Sequence, residues 1–315
     1  MRLENIGKIC NLGTGTMGYG TALLFAMAGY EVRMFGRSDA SIERGLASIG
    51  AALETYRRHG LVDEIGIAAV LERIKGVTTL KEAAEGADFV IESVAESLEV
   101  KRGVFAEIEQ VCAPDTIFAT NTSGLSPTRI AEVLKHKERF VVAHFWNPAH
   151  LMPLVEVVPG RHTADETVEL TLALMTKIGK KPVPLKREAL GFIGNRLQFA
   201  LLREAFFLVE SGIAGLEAVD ATVRYSLGRR FGATGPLETA DLGGLDIFYN
   251  ISAYLMRDLC SSTEIPPLLR ETVEKGKLGA KTGAGLYDWT PESLEAIKQR
   301  RESVLIEWLQ KDKKA

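Results

Sequence analysis

His144 and Glu156 are the residue pair in this chain best suited to proton transfer. His144 closes an apolar run, Val141-Val142-Ala143-His144-Phe145-Trp146, that reads as a strand and breaks at Asn147-Pro148. After a short loop the chain resumes as Leu154-Val155-Glu156-Val157-Val158, a second strand. Two adjacent strands joined this way can set a residue near the end of one beside a residue in the next. A carboxylate against an imidazole fixes which ring nitrogen carries the proton and stabilises the imidazolium. Such a pair is equipped to act as a general base near neutral pH. The plainer alternative is a surface histidine at a strand end and a carboxylate that caps a loop.

A second group of residues points to a dinucleotide. Ile6 to Leu12 reads as a strand, although Lys8 and Asn11 interrupt its apolar run. Gly13-Thr14-Gly15-Thr16-Met17-Gly18 and a helical pattern from Tyr19 to Ala28 follow, and another strand runs from Glu31 to Phe35. Strand, GxGxxG and helix form the dinucleotide fingerprint. Gly13 permits the tight turn, Gly15 lets backbone approach a pyrophosphate, and Gly18 lets helix and strand pack closely. Thr16 and Met17 belong to the same turn, and the N-terminus of the helix after it faces the phosphates. The second strand ends in Gly36-Arg37-Ser38, where NAD enzymes usually place an acidic residue for the ribose hydroxyls. An arginine and a hydroxyl there lean the reading from NAD to NADP. The other reading is an exposed turn with a solvated Arg37 and Ser38 capping the next helix.

The elements that must position these groups alternate. Helical patterns cover Ala40 to Arg58 and Asp63 to Ile74. Strands are expected at Asp88 to Ser93, Thr116 to Thr120 and Lys181 to Leu185. Helices are expected near Val100 to Val111, Thr128 to Leu134 and Asp165 to Ile178. The strand at Thr116 ends in Asn121-Thr122-Ser123-Gly124, polar groups at the kind of strand end where open α/β sheets bind ligands. This predicts an α/β fold, an N-terminal Rossmann-type, mainly parallel sheet over residues 1–187. The texture then turns helical, with patterns at Phe192 to Val209, Leu216 to Ser226 and Glu238 to Leu259. The reading is a helical C-terminal substrate and dimerisation domain over 188–289 and a helical extension over 290–315. The extension ends in a basic tail, Lys311-Asp312-Lys313-Lys314, read as a solvated end.

Composition excludes several classes. The 315 residues suit two domains. A formal net charge of −3 gives no electrostatic case for nucleic acid or an anionic membrane. Cys10, Cys112 and Cys260 show no CxxC spacing, which argues against a zinc site and suits a cytoplasmic setting. No run of 18 apolar residues exists, and no apolar core of signal-peptide length follows Met1. No metal-ligand cluster is expected.

The segments LGTGTMGYG, ESVAESLEVKR, ATNTSGL, HFWNPAHLMPLVEVV and GFIGNRL, in this order, resemble the 3-hydroxyacyl-CoA dehydrogenase family, and GKLGAKTGAGLYDW is similar to its C-terminal signature. The resemblance implies oxidation of a β-hydroxyl with hydride passed to a nicotinamide. It implies that His144 is the base and Glu156 its partner, and that Ser123 and Asn195 hydrogen-bond the reacting oxygen and the base. Glu96 and Lys101 match residues beside the cofactor ribose and nicotinamide, and Asn121 lies in the same strand-end group. It also implies a homodimer. Three positions depart from the family pattern: Gly36 for an acidic residue, Gly124 for a second serine, and His150 for an apolar residue, which points to a more polar pocket. Arg57-Arg58-His59-Gly60 stands where acyl-CoA members carry a lysine-rich segment near the CoA phosphates. The chain past Trp289 looks more like branches acting on small hydroxy acids or hydroxymethyl-aromatic carboxylates. The expected substrate is a 3-hydroxyacyl-CoA, such as a short-chain one. The alternatives are the same chemistry on a free small β-hydroxy acid or hydroxymethyl-aromatic carboxylate, and a non-catalytic NADPH-binding protein like the λ-crystallins.

Overall fold

The computed structural model describes residues 2–312. Lys313 and Lys314 of the basic tail lie outside the described residues. The described chain forms two compact units, residues 2–195 with 301–312, and residues 196–300.

The first unit begins with β1 (Lys8–Leu12), α1 (Thr16–Met27), β2 (Glu31–Phe35), α2 (Asp39–Arg58), α3 (Glu64–Glu72) and β3 (Ile74–Val77). It continues through α4 (Leu80–Ala84), β4 (Phe89–Glu92), α5 (Leu98–Ile108), β5 (Ile117–Thr120), α6 (Pro127–Ala131) and β6 (Phe140–Phe145). β7 (Leu154–Pro159), α7 (Asp165–Lys177) and β8 (Lys181–Pro184) complete the sheet. Its order is β3-β2-β1-β4-β5-β6-β7-β8. β6 and β7 pair antiparallel, and every other neighbouring pair is parallel.

Helices on both faces explain why the inner strands are apolar throughout rather than alternating. Ile9, Phe89, Ile91, Ile117 and Ala119 enter one core layer with residues of α1, α2 and α7. Cys10, Leu12, Val90 and Phe118 point the other way, into a layer with Phe105 and Ile130. The expected α/β architecture is therefore the observed one. β3 is a strand that the sequence pattern hid: Ile74 looks like the end of the helix before it, and Gly76 breaks a run of only four residues. Gly76 is demanded by packing, because a Cβ there would lie 2.1 Å from Ile42 Cγ2.

The chain goes on through α8 (Gly194–Glu210), α9 (Leu216–Tyr225), α10 (Leu227–Arg230), α11 (Pro236–Leu242), α12 (Leu245–Leu255), α13 (Pro267–Glu274) and α14 (Pro291–Asp312). The helical pattern from Glu238 to Leu259 is two helices, parted at Gly243-Gly244, where Gly244 takes φ 91°. No described helix is long and apolar enough to cross a membrane, and no described cluster of His, Cys, Asp or Glu could hold a metal ion.

Candidate active site

The antiparallel register sets His144 directly opposite Glu156. His144 Nδ1 lies 2.9 Å from Glu156 Oε2, and both side chains are buried. Trp146 Nε1–H donates to the same oxygen at 3.3 Å. The N–H groups of Ile193 and Gly194 donate to Glu156 Oε1 at 2.8 and 3.0 Å. Burial alone would raise the Glu156 carboxyl. The bonds from His144, Gly194, Ile193 and Trp146 outweigh it and hold the group below its ordinary range. An ionised Glu156 assigns the proton of a neutral His144 to Nδ1 and leaves Nε2 as the basic nitrogen. That tautomer follows from the hydrogen-bond network.

The turn supplying two of these donors is unusual. Phe192 has φ 51°, a left-handed conformation rare for a bulky residue, with a cost of about 1–3 kcal/mol. Its ring is buried with Val142 and Val158 and sits 5.5 Å from the His144 ring, which offsets that cost. The twist aims the next two N–H groups at Glu156. Gly194 is required beside it, since a Cβ there would come within 2.3 Å of Trp146 Cζ2. Periodicity reads Phe192 as the start of a helix; the helix begins at Gly194. The only sequence signal for the turn is the glycine on either side of Phe192-Ile193.

The loop after β5 stands beside this pair. Asn121 Oδ1 accepts the Phe145 N–H at 2.7 Å and ties the loop to the end of β6. Ser123 carries an exposed side chain, and its carbonyl accepts Asn195 Nδ2–H at 3.0 Å. Ser123 and Asn195, far apart in sequence, are thus brought together. Glu96 shapes the same loop, accepting the Thr122 hydroxyl at 2.5 Å and the Ser123 N–H at 2.9 Å. Burial would raise the Glu96 carboxyl, but Thr122, Lys101 and Ser123 hold it low. Lys101 is buried, with Nζ 2.7 Å from Glu92 Oε1 and 3.2 Å from Glu96 Oε2. Glu92 also accepts the Thr120 hydroxyl at 2.6 Å. Sequence reasoning missed Glu92, whose one signal is an acidic residue closing an otherwise apolar strand.

The glycine turn follows β1. Gly13 has φ 122°, and a Cβ on it would lie 2.7 Å from Ser93 O. A Cβ on Gly18 would lie 2.2 Å from Gly13 O. A Cβ on Gly15 would meet nothing within 4 Å, so no protein packing demands that glycine. This is the cradle expected where backbone must approach a phosphate, at the N-terminus of α1, with Thr16 and Met17 in its first turn. Asn11, which interrupts the β1 apolar run, staples the turn by donating to Gly13 O and Gly18 O at 2.9 and 3.1 Å. The residues present fit a dinucleotide.

The end of β2 has more than one role. Gly36 is buried, and a Cβ there would sit 2.6 Å from Ser41 Oγ and 2.7 Å from Ile42 Cγ1, so packing accounts for the glycine. Ser38 caps α2, its hydroxyl accepting the Ser41 N–H. Arg37 is exposed. His150 does not face solvent and does not share the surroundings of His144. It is buried between the rings of Tyr19 and Tyr56, at 5.7 and 6.0 Å, so it adds no polarity beside the dyad.

Comparison with known proteins gives the family. Residues 8–188 match the family model described as 3-hydroxyacyl-CoA dehydrogenase, NAD binding domain, and residues 191–289 match its C-terminal domain. A similar relative is the 5-formyl-3-hydroxy-2-methylpyridine 4-carboxylate 5-dehydrogenase of Mesorhizobium japonicum, 35% identical over 304 residues, 96% of each chain. A solved structure of a 5-dehydrogenase for that acid, described as an NAD+ dependent dismutase, aligns with TM-score 0.91 at 33% identity, over 98% of this chain and 99% of the other. The structure of (S)-3-hydroxybutyryl-CoA dehydrogenase from Ralstonia eutropha aligns with TM-score 0.76 at 33% identity, over 91% and 100%. The chain is an NAD-dependent oxidoreductase belonging to the 3-hydroxyacyl-CoA dehydrogenase family.

Proposed function

We propose that the chain oxidises the hydroxyl of a free small hydroxy acid, of the β-hydroxy or hydroxymethyl-aromatic carboxylate kind, rather than that of a CoA thioester. The observation carrying this reading is where α14 ends. Ile306 is buried with Tyr56 and Leu151, and Gln310 Nε2 donates to His59 O at 2.8 Å. The helix thereby docks on the last turns of α2, beside the exposed segment where a CoA-binding relative would hold phosphates. Arg57 of that segment is already paired with Glu54, through Nε and Nη2 at 2.8 Å each. The close match in shape and length to the pyridine-carboxylate dehydrogenase supports the same reading. The test is a screen of free and CoA-bound hydroxy substrates with both cofactors. Turnover of free acids with little on thioesters is expected; efficient turnover of 3-hydroxybutyryl-CoA alone would restore the acyl-CoA reading.

His144 Nε2 takes the hydroxyl proton in this scheme, while Glu156 holds Nδ1–H and balances the imidazolium that forms. Ser123 and Asn195 serve in this scheme as donors to the oxygen that gains charge, an effect of about 2.7–4 kcal/mol for one donor in the best-measured case. A dinucleotide held by its pyrophosphate at the glycine turn would supply its nicotinamide as the hydride acceptor. Gly15, Thr16 and Met17 would lie against the pyrophosphate in a turn shaped by Gly13 and Gly18, with Glu96, Lys101 and Asn121 ordering the loop beside it. The dyad and its donors are in place, which speaks against a purely structural, crystallin-like role.

NADP preference is a separate proposal and rests on Arg37, because Gly36 and Ser38 have packing and capping roles of their own. A guanidinium binds a 2′-phosphate through paired hydrogen bonds. Arg37→Ala is expected to raise the KM for NADPH roughly tenfold or more, about 1.4 kcal/mol, and to leave that for NADH unchanged. Equal efficiency with both cofactors in wild type, unaffected by Arg37→Ala, would leave Arg37 as a solvated turn residue.

A homodimer in the cytoplasm completes the reading. Among its described apolar residues, the unit 196–300 buries only Phe206, while Phe199, Leu237, Leu242 and Tyr249 are exposed. A second copy is the expected cover for so much apolar surface. Light scattering should give twice the chain mass; a monomer mass across a wide concentration range contradicts it.

A further inference from the structure

A second cavity, of about 240 Å3, is built into the first unit apart from the dyad. Leu24 and Met27 of α1, Tyr56 of α2, His150, Lys180 and Leu309 of α14 line it. Neither the dyad nor the glycine turn is part of its wall. Two polar groups in that wall have unspent hydrogen-bonding capacity.

Lys180 is 4% exposed. Its Nζ donates to Ala149 O at 2.7 Å and to Met152 O at 2.9 Å. An ammonium has three N–H donors, so one is left over. Burial pushes the group down to about 7, with no neighbouring carboxylate to offset it among the described residues. A buried ammonium facing only carbonyl oxygens lacks the counter-charge that such groups ordinarily have. His150 is 6% exposed, and its Nδ1 has no hydrogen-bond partner. Burial and the Lys180 charge together push its imidazole down to about 4, so the ring is neutral and can give or take one bond at Nδ1. Buried polar atoms are rarely left unpaired, and one that is calls for a reason.

The rest of the wall is apolar, and Ile178 adds to it. An engineered cavity of about 150 Å3 admits benzene, so this volume accommodates a substituted six-membered ring. Lys177 also lines the cavity and adds a second positive charge; its exposed ammonium lies 5.1 Å from the Tyr30 ring.

We propose that this cavity is a second ligand site, distinct from the active site, for a small carboxylate with an apolar body. The carboxylate accepts the third Lys180 N–H and a proton on His150 Nδ1. The body packs against Leu24, Met27, Ile178 and Leu309. Lys180 and Tyr56 already hold the backbone around the site, since the Tyr56 hydroxyl donates to His150 O at 2.7 Å. The pocket is therefore preformed rather than assembled by the ligand.

The test is calorimetric titration of the full-length protein, saturated with NAD, using benzoate as the probe. One benzoate should bind per chain. Lys180→Met should weaken binding tenfold or more by removing the charge. Ala28→Leu, which fills the cavity and leaves Lys180 in place, should weaken it as much. If Lys180→Met does not fold, Ala28→Leu decides. The proposal is overturned if wild type shows no one-site binding at millimolar benzoate. It is equally overturned if Ala28→Leu binds as wild type, since the benzoate is then elsewhere. Folded Lys180→Met binding as wild type overturns the carboxylate recognition.

Discussion

His144→Gln is expected to lower kcat by about 10² to 10⁴-fold, the usual contribution of a positioned general base, with dinucleotide affinity unchanged. The glutamine fills similar space but offers no basic nitrogen where Nε2 stands. Glu156→Gln is expected to slow turnover as well, through a different route. Glu156 accepts four donors, from His144, Trp146, Ile193 and Gly194. A carboxamide has one acceptor oxygen, so its NH2 must face N–H groups that have nothing to accept. A buried group left unpaired costs about 1–3 kcal/mol, and the Phe192 turn loses its anchor. The two variants therefore separate. His144→Gln should lose rate at near wild-type stability, whereas Glu156→Gln should lose both. Wild-type rates in both variants would remove the dyad from the mechanism.

Acid sharpens the second variant. The folded Glu156 carboxyl is held below its ordinary value of 4.5. Its contribution to stability is thus present above that value and is lost as pH falls through the lower, folded one. Wild type should lose melting temperature on acidification below about pH 4.5. Glu156→Gln should lose less over the same range. Equal slopes would mean that Glu156 gains nothing from its donors. Glu96 and Glu188, also held low, remain in both proteins, so the difference between slopes reports on Glu156.

How much of this was legible in the sequence depends on the range of the interaction. The glycine turn and the strand ends carrying Asn121 and His144 are local patterns legible where they stand, whereas the helix after the turn begins at Thr16, three residues before the expected Tyr19, because its first turn overlaps the glycine motif. The His144–Glu156 pairing was legible because only one short loop separates two strands. Glu92 was not, since its partners Lys101 and Thr120 come from other elements and the residue looks like the polar edge of a strand. Phe192 was not, because its left-handed backbone is imposed by the Glu156 carboxylate and the His144 ring. His150, expected to make the pocket more polar, was illegible for the same reason: the aromatic rings that bury it belong to α1 and α2. Gly36 shows the converse. A motif position was read as a cofactor determinant, and packing against Ser41 and Ile42 accounts for it as well.

The same distinction gives the sharpest test of the dinucleotide turn. Gly15→Ala and Gly18→Ala add one methyl each, three residues apart, and should fail in opposite ways. Gly15 has φ −71°, a conformation alanine adopts freely, and its Cβ would meet no protein atom within 4 Å. Stability should hold or rise by about 0.4–1 kcal/mol, from the smaller entropy of the unfolded chain. NADH affinity should fall tenfold or more, about 1.4 kcal/mol, because the methyl occupies the space through which backbone approaches the pyrophosphate. Gly18 is buried, and its Cβ would lie 2.2 Å from Gly13 O, a backbone atom that the Asn11 side chain holds in place. Helix α1 must then move away from β1, at a cost of about 1–3 kcal/mol for overpacking. Gly18→Ala should therefore lower the melting temperature and NADH affinity together. Thermal melts and NADH fluorescence titrations on both variants read the two quantities independently. Wild-type NADH affinity in Gly15→Ala would show that the open side of this turn is not where the pyrophosphate lies, and the placement of the cofactor would have to be given up.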